Sequence, residues 1–157
     1  MFSYGCQKIN VNNFKEKKIK CFNIHGGLLP KYKGVNTNFW PHINGESNMI
    51  GLTLHKLDYE IDSGDIFFQT SVKINKKDTI NTLSCKAVVN FCETVPNKIF
   101  YKLKKNIEIK GIKFNSKRKT YKKIDFKPSL TKEAYKKFEI FLNSKKIKNK
   151  IKLINII

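Results

Sequence analysis

Asn23-Ile24-His25-Gly26-Gly27-Leu28-Leu29-Pro30-Lys31-Tyr32-Lys33-Gly34 closes a short apolar run that starts at Ile19. Cys21, Phe22 and Ile24 give that run the composition of a strand covered on both faces. Asn23 interrupts it, and an amide in such a run needs partners or a task. On an extended backbone Asn23 and His25, two residues apart, point to the same side. Two glycines and a proline then force an irregular loop. A carboxamide and an imidazole converging at a strand end suit carbonyl chemistry.

Outward from that stretch, Met1 to Tyr4 reads as a strand end that Gly5 allows the chain to leave, and Ile9 to Lys18 as a short helix or turn. Asn36 or Thr37 is placed to cap a helix running through Phe39 and Trp40 to about Asn44, with Phe39 and Trp40 as core and His42 as a surface histidine. Met49 to Leu57 alternates as a strand, with Gly51, Thr53 and His55 on one side. His55 reads as a buried, satisfied histidine on that strand. Asp58 to Asp65 holds four acids in eight residues, and its Ser63-Gly64 is a turn signal. Ile66 to Ile74 follows as a strand antiparallel to its predecessor.

Asp78 is the expected cap of a long helix whose stripe is Ile80, Leu83, Ala87, Val88, Phe91, Val95 and Ile99. Cys85 and Cys92 read as packing residues beside that stripe, and Pro96 as a kink or interruption. Beyond it the sequence predicts a short hairpin about Lys110-Gly111 and an extended arm from Arg118 to Phe126. A helix from Lys132 to Asn143 would then bury Tyr135, Phe138 and Leu142, and Lys145 to Lys152 reads as a solvated lysine tail or an anion-binding arm.

The 157 residues suit one domain with a real core. A formal charge of +20 points toward nucleic acid or anionic surfaces. Arg118 is the only arginine, however, and the lysines travel with asparagine and isoleucine, a profile that biased coding composition also produces. Cys6, Cys21, Cys85 and Cys92 have no metal-ligand spacing and read as free thiols in a reducing cytoplasm, so no metal is expected. No apolar run approaches the ~20 residues of a membrane span.

The stretch from Asn23 to Gly34, the later Gly-x-Thr-x-His ending at His55, and Ile61-Asp62-Ser63-Gly64-Asp65-Ile66 together resemble the formyltransferases that use 10-formyltetrahydrofolate to formylate a primary amine. The signature shared with that family is Asn-x-His, a Leu-Leu-Pro loop ending in a basic residue and glycine, and an Asp-x-Gly turn. The resemblance runs from about Met1 to Ile74. It implies an α/β fold: the C-terminal portion of a Rossmann-like formyltransferase catalytic domain, a mixed sheet flanked by helices, with a short C-terminal extension. Residues 1–103 would be the partial catalytic domain and 104–157 a basic extension, with the family's first strands and helices preceding Met1. Such a chain would be a truncated product, a mis-called start or one piece of a split enzyme.

The resemblance implies Asn23, His25 and Asp62 as catalytic residues. It also implies Tyr4, Gly5 and Cys6 after the first strand, and Asp58, Ile61 and Asp62 in the acidic loop, as contacts of the folate co-substrate. Asn23 would donate to the oxyanion that develops on the formyl oxygen. His25 would share that task when protonated or accept the amine proton when neutral; Asp62 would orient the imidazole or order a water. Gly26-Gly27 stands where tRNA-formylating members usually carry proline and serine, and with Asn36 to Pro41 it looks more like the sugar-nucleotide formyltransferases. An amino-sugar nucleotide is therefore the expected partner, with a homodimer through the C-terminal portion and a cytoplasmic location. A methionyl-tRNA formyltransferase-like enzyme is the alternative, although the chain has too few residues for the family's tRNA-binding barrel. An inactive remnant or basic binding protein is the reading of another class.

Overall fold

The computed structural model describes residues 1–6, 8–114, 118–148 and 152–155. A four-stranded sheet forms its centre, in the spatial order β1 (Phe2–Tyr4), β2 (Phe22–His25), β4 (Gly51–Lys56), β5 (Ile66–Ser71). β1 and β2 are parallel, joined by a crossover that contains the short helix α1 (Asn12–Glu16). The β2–β4 and β4–β5 pairs are antiparallel, so the sheet is mixed, and the expected β4–β5 pair forms.

The register sorts side chains onto two faces, because residues opposite one another on neighbouring strands share a face. Ile24, Leu54 and Phe68 align on one; Ser3, Asn23 and His55, and then His25, Thr53 and Gln69, align on the other. The apolar face is covered by α3 (Ile80–Lys104), whose stripe of Ile80, Leu83, Ala87, Phe91, Val95 and Ile99 is buried. Pro96 does not end this helix. A proline inside a helix costs about 3 kcal/mol. Each fully buried aliphatic or aromatic side chain returns ~1.5–3 kcal/mol, and Val95 and Ile99 on either side of Pro96 are both buried. Thr79, not Asp78, is the N-cap: its hydroxyl accepts from Thr82 N–H, and Thr82 Oγ1 accepts in return from Thr79 N–H. Asp78 instead binds the Lys86 ammonium and the Asn75 N–H. Cys85 and Cys92 are exposed, because they fall on the far side of the helix from the buried stripe.

Other details depart from the sequence expectations. α2 (Trp40–Ile43) starts without a side-chain cap; the Thr37 hydroxyl donates to Gly26 C=O instead. Trp40 is buried as expected, and Gly45, at positive φ, donates to His42 C=O as the helix ends. His42 is fully buried rather than on the surface, its ring edge-on to Phe138 of α4 (Leu130–Leu142). α4 buries Ala134, Phe138 and Phe141, while Tyr135 is exposed. No hairpin forms about Gly111. Ile112 pairs in both directions with Ile66 at the edge of β5, and Gly111 permits it, since a Cβ there would lie 2.5 Å from Asp65 Cβ.

Farther along that edge Gln69 N–H donates to Ile154 C=O at 2.7 Å, so the segment that follows the lysine tail lies against the sheet; residues 149–151 of the tail lie outside the described residues. These pairings cover the outer edge of β5. A second, two-stranded parallel sheet joins β3 (Lys33–Gly34) to β6 (Thr120–Tyr121), the latter within the expected extended arm. Among the described residues no helix is long and apolar enough to cross a membrane.

Candidate active site

β2 carries Asn23 and His25 on the polar face of the sheet. β4 lays His55 directly opposite Asn23, and Thr53 opposite His25. A register irregularity between Leu54 and His55, where Phe67 is the extra residue on β5, lies beside the site. The chain then leaves β4 into the acidic loop, and Asp62, at φ +50, turns its carboxylate back into the sheet face. A non-glycine residue in this left-handed region is uncommon and concentrates where surrounding contacts hold it.

Those contacts are specific. Asp62 Oδ1 lies 3.2 Å from His25 Nδ1 and 3.6 Å from His55 Nε2, and Oδ2 accepts from Gly34 N–H at 3.0 Å. His25 Nε2 is 2.7 Å from Tyr32 C=O, so both of its ring nitrogens face acceptors, a pattern the doubly protonated ring satisfies. Asn23 Nδ2 lies 3.0 Å from His55 Nε2, while Asn23 Oδ1 accepts from the Ser3 hydroxyl at 2.9 Å. With His55 Nδ1 2.8 Å from Lys56 C=O, that ring is a donor at Nδ1 and an acceptor at Nε2. Burial alone would push the Asp62 carboxyl up. The hydrogen bond from His25, the His25 charge and the Gly34 N–H outweigh it and hold the group well below the ordinary carboxylate range. Asp62 is therefore an anion and a weak base, suited to orienting a cation rather than taking a proton.

The loop between β2 and β3 is fixed by small-residue packing and polar ties. A Cβ on Gly27 would lie 2.6 Å from Thr37 Cβ, so that position admits only glycine. Leu28 and Leu29 are buried, and Leu29 N–H donates to the Thr53 hydroxyl. Tyr32, also buried, donates its hydroxyl to Glu46, which binds Lys31 as well.

The polar face opens into a cleft of about 1030 Å³. Asn23, His25, His55 and Asp62 line it, as do Tyr4, Gly5 and Cys6 at the end of β1 and Asp58 and Ile61 of the acidic loop. The structure thus brings the sequence-predicted residues to one cavity. His55, held by the resemblance in its Gly-x-Thr-x-His motif, enters the cluster directly, touching both Asn23 and Asp62. Ser3 and Tyr121, which also touch or frame the cluster, had no signal in residue type or spacing, and Gly34 was marked only as the glycine that ends the Leu-Leu-Pro loop. The described residues contain no group of His, Cys, Asp and Glu that could hold a metal ion.

Residues 6–93 match the family model described as formyl transferase. The bifunctional polymyxin resistance protein ArnA of Wigglesworthia glossinidia brevipalpis is 44% identical over 84 residues, 53% of this chain and 13% of that protein. A methionyl-tRNA formyltransferase of Lactobacillus acidophilus is 29% identical over 157 residues, 98% of this chain and 46% of that protein. The chain thus spans less than half the length of these curated relatives. Among solved structures, a 4-N formyltransferase from Francisella tularensis superposes with a TM-score of 0.65 at 28% identity, over 80% of this chain and 50% of the other. The formyltransferase PseJ from Anoxybacillus kamchatkensis, solved with UDP-4,6-dideoxy-4-formamido-L-AltNAc and tetrahydrofolate, superposes with a TM-score of 0.57 at 27% identity, over 79% and 64%.

Proposed function

The chain belongs to the formyl transferase family, and on that premise we propose that it moves a formyl group from 10-formyltetrahydrofolate to the primary amine of a nucleotide-linked amino sugar. The observation that carries this reading is the Asp62 carboxylate seated 3.2 Å from His25, with Asn23 bound to His55 beside it, on the wall of one cleft. The cleft has room for a folate head group and an acceptor together. The exposed Tyr4 and Ile61 offer apolar surface for a flat ring, and the open backbone at Gly5 offers polar groups. Bound there, the co-substrate supplies an activated formyl carbon.

As the amine adds to that carbon, the formyl oxygen gains negative charge and the nitrogen positive charge. Asn23 Nδ2 has two hydrogens, one directed at His55 and the other able to reach the oxygen. His25, with the Asp62 anion behind it, adds positive charge on the same side of the cleft. His55 Nε2, whose one lone pair accepts from Asn23 at rest, takes the amine proton once that hydrogen bond is released, and Asp62 at 3.6 Å stabilises the resulting imidazolium.

Two features support a sugar acceptor. Solved sugar-nucleotide enzymes share the fold, and the Gly26-Gly27 pair departs from the tRNA pattern at a point where a Cβ on Gly27 has no space. The second reading, a methionyl-tRNA acceptor, is favoured by the alignment of nearly the whole chain to the Lactobacillus acidophilus enzyme. The test is to incubate the protein with 10-formyltetrahydrofolate and either UDP- and dTDP-linked amino sugars or charged initiator tRNA, following formamide formation by mass spectrometry. Product on an amino-sugar nucleotide alone supports the proposal. Product on the tRNA alone replaces it with the second reading, and no product on either acceptor rejects formyl transfer by this chain.

A further inference from the structure

We propose that strand β6 is a positioning element of the active site: by packing against Gly34 it fixes the backbone N–H that holds the Asp62 carboxylate between His25 and His55. This deepens the formyl-transfer reading above and rests on it. The strand lies beyond residues 6–93 that match the family model, in the segment that the sequence reads as a basic extension.

The geometry is a chain of direct contacts. Asp62 uses one carboxylate oxygen for the two histidines and the other for Gly34 N–H. Because Asp62 sits at φ +50, its turn alone is a poor anchor, and the second oxygen needs a donor that does not move. Gly34 is that donor, at φ +103, with Tyr121 so close that a Cβ on Gly34 would lie 2.1 Å from the Tyr121 carbonyl oxygen. The same carbonyl accepts from Val35 N–H at 3.0 Å. Tyr121 is held in turn. Its ring stacks on Trp40 at 4.7 Å and faces Tyr32 at 6.2 Å, and its hydroxyl accepts from Asn44 at 3.1 Å. Tyr32 supplies the carbonyl that binds His25, so the short loop clamped by β6 sets both members of the His25–Asp62 pair. Thr120, Tyr121 and Lys122 also form part of the cleft wall.

Gly34→Ala tests the contact directly, and Tyr121→Leu loosens β6 while leaving Gly34 intact, should the alanine variant fail to fold. In either folded variant we expect kcat to fall roughly tenfold, the effect of one hydrogen bond to a charged group, with KM for folate and acceptor unchanged. The loss should not repeat in an Asp62→Asn background, since the carboxylate being positioned is gone. Wild-type kcat, or a loss that adds in full to that of Asp62→Asn, overturns the proposal while leaving formyl transfer standing. Full activity of Asp62→Asn itself overturns both. A readout independent of turnover is the Gly34 amide proton resonance, expected downfield and moved upfield by Asp62→Asn and by Tyr121→Leu. An amide that stays in place in both variants refutes the positioning role.

Discussion

The two faces of the central sheet are built from the same strands and work by opposite rules. On one, Phe22, Leu52, Leu54 and Phe68 are buried in a core with the α3 stripe, and stability comes from removing apolar area from water. On the other, Ser3, His25, Thr53, His55 and Gln69 are just as buried, yet each is held by hydrogen bonds. Thr53 donates to Gly27 C=O and receives Leu29 N–H and Gln69 Nε2; Gln69 also donates to Leu29 C=O. A buried polar group without partners costs free energy, so this face is tolerated only because its network is closed. Burial on the first face is a source of stability; on the second it is a device for aiming charge.

If that division holds, substitutions on the two faces should separate stability from catalysis. Phe91→Ala, beneath the apolar face, should lower unfolding free energy by about 3–5 kcal/mol in denaturant titration while folded protein keeps its turnover number. A selective loss of kcat in that variant would break the comparison. Asn23→Ala should do the reverse. Removal of an oxyanion donor costs ~2.7–4 kcal/mol of transition-state stabilisation, read as a 10²–10³-fold fall in kcat with a smaller loss of stability than in Phe91→Ala. A wild-type turnover number would remove Asn23 from the proposed chemistry.

Acid should then distinguish buried histidines by their partners. Among the described residues His42 has one, the Ser47 hydroxyl at 2.8 Å, while its Nε2 has none, and burial pushes the ring down to about 4. The unfolded chain therefore binds a proton that the folded chain does not, and stability falls as pH drops from about 6.5 to about 4, by about 3 kcal/mol in all. Asp62 shifts downward from its ordinary value, so its contribution is present above about pH 4 and is lost only in stronger acid. Urea titrations between pH 7 and 4 should show the His42 slope, and His42→Leu should flatten it. The smallest effect belongs to the edge of the apolar face: Thr79→Ala removes the α3 cap and should cost about 1 kcal/mol, measured by thermal unfolding.

Much of this division was legible in residue order. Alternation placed Asn23 and His25 on one side of β2, and the 3.6-residue period of Ile80 to Ile99 named the helix surface that covers the other side. The motif resemblance selected Asp62 from four nearby acids. Other features had no local signal. His42 looked exposed because its neighbours in sequence do not reveal Phe138, which arrives from α4. The hairpin about Gly111 was a local solution that lost to pairing with β5, whose open edge offered Ile66 two backbone hydrogen bonds.

Residue types and spacing suffice for the four strands of the central sheet, the long helix and the identity of the polar side chains, because periodicity and turn chemistry act over a few residues. They leave open which nitrogen meets which oxygen. That His55 faces both Asn23 and Asp62, and that a glycine pinned by a tyrosine 87 positions later offers its N–H to the carboxylate, follow from strand register and long-range packing. Contacts between segments that distant are set by how the whole chain closes on itself, and no short window of sequence contains them.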